Sequence, residues 1–122
     1  MLKRRKELVD LYRKHLPTEK ISVIEHCGEQ YSSSMHLLMI QLKGKSLEER
    51  NAFIQQMAEM GIACNVHYKP LPMLSAYREI GFDIAYFPNA KNAFENEITL
   101  PLYSTLQEED VIYICECVKQ FI

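Results

Sequence analysis

The segment Asn65-Val-His67-Tyr68-Lys69-Pro70-Leu71-Pro72 sets an imidazole, a phenol and an ammonium side by side. Ile62-Ala-Cys-Asn-Val-His67 alternates with period two, so it predicts a short strand with Ile62, Cys64 and Val66 on one face. Pro70 and Pro72 remove backbone donors and fix the chain direction, so the stretch after the strand is neither helix nor inner strand. A rigid element that delivers three titratable groups into a proline-stiffened loop is one way that binding sites are built. A loop whose aromatic ring packs on its prolines accounts for the same residues with no site at all. The residues alone leave both readings open.

Other candidates carry less. Gly44-Lys45-Ser46 lies between an apolar run and a helical pattern, where a phosphate loop would lie, but the place of its first glycine is taken by Met39. Ser46-Leu-Glu-Glu49 is instead a capping box, which accounts for Ser46 without a nucleotide. Histidines at 15, 26, 36 and 67 and cysteines at 27, 64, 115 and 117 raise the question of zinc. The only close pair, His26-Cys27, is adjacent and points to opposite faces of an extended chain, so no metal ligands are assigned. Cys115 and Cys117 are about 200° apart around a helix and are expected on nearly opposite faces. Free thiols of a reducing cytosol are the simplest reading, and a cysteine protease would need an activating histidine that sequence cannot place. Lys3-Arg-Arg-Lys6 is followed at once by Glu7 and Asp10, which reads as a solvated helix face.

The elements that must hold these groups fit one domain, residues 1–122. The chain has 122 residues, 48% hydrophobic and 25% charged, an ordinary globular composition. A net charge of -2 gives no electrostatic reason for nucleic acid or an anionic membrane, and no apolar run approaches a membrane span. The opening residues have no apolar core of the kind a secretion signal needs. Leu2, Leu8, Val9, Tyr12 and Leu16 form a helical stripe that Pro17 ends. Ile21–Glu25 alternates as a strand, 28–34 is a polar loop, and Met35–Leu42 predicts a central strand covered on both faces. A helix from Ser46 should bury Phe53, Ile54, Met57 and Met60 and stop at Gly61. Two short helices follow, Met73–Ile80 and one opened by Pro88, and then a last strand, Glu97–Leu102, at an edge. Thr105-Leu-Gln-Glu108 predicts a second capping box before a helix whose buried stripe is Val111, Ile114, Cys115, Val118 and Ile122. The economical assembly is an α+β layer: a small, mainly antiparallel sheet of three to four strands with helices on one face.

Five motifs stand in order along this chain: Ser33-Ser-Met-His36-Leu-Leu-Met-Ile, Gly61-Ile-Ala-Cys-Asn-Val-His67-Tyr68-Lys-Pro70-Leu71, Ala76-Tyr77, Phe87-Pro88-Asn-Ala90 and Ile98-Thr-Leu-Pro101-Leu-Tyr103. Their succession resembles the C-terminal small domain of the DegT/DnrJ/EryC1/StrS aminotransferases, pyridoxal-phosphate-dependent sugar aminotransferases of fold type I. The opening helix, with Arg4-Arg5 and Tyr12, is similar to the helix that enters that domain. The resemblance implies amino transfer from glutamate to a keto-sugar nucleotide, in the making of lipopolysaccharide, capsule, glycan or antibiotic sugars. It also implies that pyridoxal 5'-phosphate is held by a large domain, which this sequence lacks. None of the nine lysines lies in a recognisable Schiff-base segment, so no cofactor-binding and no catalytic residue is expected here.

By the same resemblance, His36, His67 and Tyr68, with Lys69 after them, are the positions nearest the substrate cleft, offering hydrogen bonds or charge to a nucleotide-sugar. The expected partner is a large aminotransferase domain or a second copy of the chain, because a domain built to lie on another keeps an apolar face. Two rival functions remain: a non-catalytic module that binds a nucleotide-sugar or a partner with the same fold, and a small enzyme using the His67-Tyr68 strand end.

Overall fold

The computed structural model describes all residues from Met1 to Ile122. The chain runs α1 (Leu2–His15), β1 (Ile21–Val23), β2 (Cys27–Gly28), β3 (Tyr31–Ser32), β4 (Leu38–Leu42), α2 (Leu47–Glu59), α3 (Ser75–Glu79), α4 (Pro88–Asn96), β5 (Glu97–Leu100) and α5 (Glu108–Phe121). Tight 3-10 turns occupy Leu71–Met73 and Ile84–Tyr86. Pro17 ends α1 as anticipated: Leu16, before it, is already extended, the conformation that the proline ring enforces on its predecessor.

The α+β expectation holds. β1, β4 and β5 form an antiparallel sheet in that order, with Val23, Ile40 and Ile98 in one register row. Period two puts Ile21, Leu38, Ile40, Leu42, Ile98 and Leu100 on one face, all at 1% exposure or less. Leu8 and Tyr12 of α1, Phe53 and Met57 of α2, and Val111, Ile114 and Val118 of α5 close over that face as one core. α5 packs against both α1 and α2. Tyr12 is fully buried and its hydroxyl donates to the Pro101 carbonyl at 2.8 Å, tying α1 to the chain leaving β5.

Several local expectations give way. β4 is central, but it is covered fully on one face only, and Met39 and Gln41 on the other remain half-buried. Ile62–His67 is not a strand: only Asn65 pairs, opposite Thr99. Two of its N–H groups are diverted, Val66 N–H to the Asn65 side chain at 2.8 Å and His67 N–H to the Glu97 carboxylate at 3.1 Å, so no ladder can extend. The polar loop at 28–34 contains the small β2–β3 hairpin. α5 starts later than Thr105 predicts, with Gln107 N–H donating to Asp110 Oδ2 at 3.1 Å. Cys115 and Cys117 are both buried, because α5 has a neighbour on each side. Leu2 and Met60 lie exposed beyond the reach of the core.

The Ser46 capping box is present in full. Glu49 N–H donates to Ser46 Oγ at 3.3 Å and Ser46 N–H to Glu49 Oε2 at 2.8 Å. Ser46→Ala should therefore lower the unfolding free energy by about 0.5–2 kcal/mol, read as an earlier urea midpoint with unchanged slope. Gly61 ends the α2 region at φ +78, a left-handed conformation that side-chain-bearing residues rarely adopt. No helix is long and apolar enough to cross a membrane.

Candidate functional site

The second face of the sheet is the polar one. Alternation along β4 and β5 that sends Ile40 and Ile98 into the core sends Met39, Gln41, Glu97 and Thr99 the other way. Asn65 docks on the outer edge of β5, exchanging two backbone bonds with Thr99 at 3.1 and 2.7 Å. That antiparallel contact carries His67 back over Glu97. Thr99 Oγ1 donates to Glu97 Oε1 at 2.8 Å, His67 Nδ1 lies 2.9 Å from Thr99 Oγ1, and His67 N–H reaches Glu97 Oε2. Tyr68 meets the imidazole edge-on, ring centroids 4.7 Å apart, and is otherwise largely exposed. Ile24, Met39, Gln41, Pro70, Ala93 and Phe94 complete the wall of a shallow depression of about 230 Å³ against α4.

Beneath it, Arg50 of α2 is 2% exposed, donates to the Glu97 backbone carbonyl at 3.3 Å and lies over the Phe94 ring at 5.0 Å. Burial pushes the Glu97 carboxyl above its ordinary value, opposed by the bonds from Thr99 and His67 and by the charge of Arg50. Burial also lowers the Arg50 pKa. Cys64 and Cys115 are pushed up to about 12 by burial, so neither is a nucleophile near neutrality.

The four residues singled out by the sequence do not form one cluster. His67 and Tyr68 share the depression. Lys69 points to a neighbouring cleft of about 440 Å³ with Arg78, Phe82 and Asp83, and neither Lys69 nor Arg78 has an ion-pair partner. His36 precedes the Leu38 end of β4, whereas His67 lies at the Gln41–Glu97 end. His36 Nδ1 is 3.4 Å from Arg5 Nη1, which also donates to the Met35 carbonyl. Glu97, Thr99 and Arg50 were missed. The signal for the first two was present as polar residues at alternate positions of a strand whose other positions, Ile98 and Leu100, are apolar.

The sequence matches the DegT/DnrJ/EryC1/StrS aminotransferase family over residues 1–119. The chain belongs to this family. Among solved members, the apo-form of a protein named "Putative sugar aminotransferase" from Streptococcus pneumoniae superposes with a TM-score of 0.96 and 49% identity, covering 99% of this chain and 30% of that one. A PLP-form of the same protein gives 0.92 and 44%, over 100% of this chain and 32% of that one, so that relative binds the cofactor. A UDP-4-amino-4,6-dideoxy-N-acetyl-beta-L-altrosamine transaminase of Helicobacter pylori is 30% identical over 86 residues, 70% of this chain and 23% of its own. GDP-perosamine synthase of Escherichia coli O157:H7 is 25% identical over 120 residues, 98% of this chain and 31% of its own. The chain thus spans about a third or less of the relatives it matches.

The residues of this aminotransferase-family chain do not fit as the covalent holder of pyridoxal phosphate. Lys45 is half-buried and every other lysine is exposed. A lysine nucleophile needs a dry pocket to shed its proton near neutral pH, and none of these has one.

Proposed function

We propose that residues 1–122 are the small C-terminal domain of a nucleotide-sugar aminotransferase that moves an amino group from glutamate to a keto-sugar nucleotide for polysaccharide or lipopolysaccharide assembly. The cofactor and the proton transfers belong to a large domain outside these residues, and the small domain is inactive without it. One observation carries the reading: almost the whole chain coincides with 30% of the S. pneumoniae relative at 49% identity. The site is cytoplasmic, a setting in which its four free cysteines stay reduced. His67 and Tyr68 contribute contacts to the nucleotide-sugar. Lys69, with Arg78 beside the same cleft, supplies positive charge, and His36 belongs to the rim at the opposite end of the sheet.

The large domain has a surface to meet. No residue of 63–96 is buried, although this stretch holds two helices and two 3-10 turns. It displays Tyr68, Leu71, Ile80, Phe82, Tyr86 and Phe87, with Ile80 72% and Tyr86 80% exposed. So much apolar surface on one excursion is what a lone monomer avoids and an interface uses. The test is mixing residues 1–122 with the remaining two-thirds of the S. pneumoniae relative, followed by sedimentation. Co-sedimentation is expected. Ile80→Asp with Tyr86→Ser should weaken it at least roughly tenfold, since each lost apolar anchor costs about 1–2 kcal/mol. A chain that stays monomeric at high concentration, ignores the larger piece and binds no apolar dye would remove the reading.

A further inference from the structure

We infer that Glu97 and Thr99 fix the tautomer of the neutral His67 ring, with the proton on Nδ1, so that Nε2 stands at the depression as a hydrogen-bond acceptor. With Glu97 ionised, the donors and acceptors around the neutral ring admit one assignment. Both oxygens of the Glu97 carboxylate accept, Oε2 from His67 N–H at 3.1 Å and Oε1 from Thr99 Oγ1 at 2.8 Å. Burial works against the charge on Glu97, and the bonds from Thr99 and the His67 N–H together with Arg50 work for it; the ionised carboxylate has no proton to give, so the threonine hydroxyl spends its single proton on it. Toward His67 Nδ1, 2.9 Å away, Thr99 Oγ1 can then only accept, and Nδ1 carries the hydrogen.

The far side of the ring gives the same answer independently. Asn65 Oδ1 accepts from Val66 N–H at 2.8 Å, which fixes the amide orientation and turns Nδ2 toward His67 Nε2 at 3.4 Å. An amide nitrogen of this kind only donates, so Nε2 presents its lone pair. A histidine ring free in water favours the other tautomer, with the proton on Nε2. The protein therefore reverses the ring's own preference, using a carboxylate that it keeps 4% exposed.

The consequence concerns what the depression can bind. A ring whose Nε2 holds only the long 3.4 Å contact with Asn65 can exchange that contact for an O–H or N–H donor of a ligand, such as a sugar hydroxyl or the imide N–H of a uracil. That assignment of ligand chemistry rests on the nucleotide-sugar reading above, whereas the tautomer does not. Glu97 and Thr99 are positioning residues: they act through His67.

Long-range ¹H–¹⁵N correlation spectra of residues 1–122, recorded at a pH where the imidazole is neutral, read the tautomer directly. The unsubstituted chain should show the protonated nitrogen at Nδ1. Glu97→Gln keeps the size of the side chain but can donate to Thr99 Oγ1, which releases the threonine proton toward Nδ1, so the His67 proton should move to Nε2. Thr99→Ser keeps the hydroxyl and should retain Nδ1–H, and Thr99→Val should lose it. A proton on Nε2 in the unsubstituted chain overturns the inference, even if no variant folds. So does Nδ1–H persisting in a folded Glu97→Gln protein. Titration with UDP-N-acetylglucosamine separates the two levels: a moved Nε2 resonance with Nδ1–H retained supports both. A correct tautomer with no response to this probe supports the positioning role and counts against the nucleotide-sugar reading alone.

Discussion

Given pyridoxal phosphate, glutamate and a nucleotide keto-sugar, residues 1–122 alone are expected to transfer no amino group. With the other two-thirds of a family aminotransferase added in trans, the reaction should run at least about 10⁶-fold faster than the uncatalysed one, the lower end of enzymatic acceleration. The reason is the placement of the lysines. A protonated ammonium in water is no nucleophile, and desolvation or a neighbouring cation is what makes it one. Eight of the nine lysines are exposed, and the half-buried Lys45 is tied up in an ion pair with the Glu49 carboxylate at 3.0 Å. Gel filtration after mixing should leave the yellow chromophore among the small molecules, and the amine product should appear only when both pieces are present. Colour retained by residues 1–122, together with an aminated sugar, would defeat the expectation.

Ile40→Ala should cost about 2–5 kcal/mol of unfolding free energy. A protein of ordinary stability has about 5–15 kcal/mol in all, so the variant loses a large fraction of it. Ile40 is fully buried in the middle strand, with Val23 and Ile98 opposite it on either side. Neighbours fixed from both edges cannot collapse into the space, which puts the site toward the costly end of such truncations. Met39→Ala, one residue away on the half-buried face, should cost less than about 1 kcal/mol. Urea unfolding of the two variants compares the faces, and equal costs would mean that the sheet does not have one dry side.

Much of the fold was legible because its signals are local. Pro17, the Ser46–Glu49 box, Gly61 and the Pro88 helix start act through a few adjacent residues, and each is where the sequence put it. The core of β4 and β5 was legible for the same reason, since alternation is a property of neighbours. Ile62–His67 misled because its alternation is real while its hydrogen bonds go elsewhere, to Asn65 and Glu97 side chains that a pattern cannot weigh. Cys117 misled because a helix face is polar or buried according to what lies beside it, and α5 is packed by both α1 and α2.

Of the candidate site, the sequence picked out His67 and Tyr68 but neither their supports nor their distance from His36. By itself the sequence determined the family, the order of the helices and of the three strands of the main sheet, and that no lysine lies in a Schiff-base motif, all of them matters of residue type and spacing. Only the tertiary structure decided that Glu97, thirty positions from His67, sets the ring, and that Lys69 and His36 face other surroundings. Such pairings depend on which edge of a sheet a distant segment docks against. That is decided by the burial of a whole face at once, and no short stretch of chain contains it.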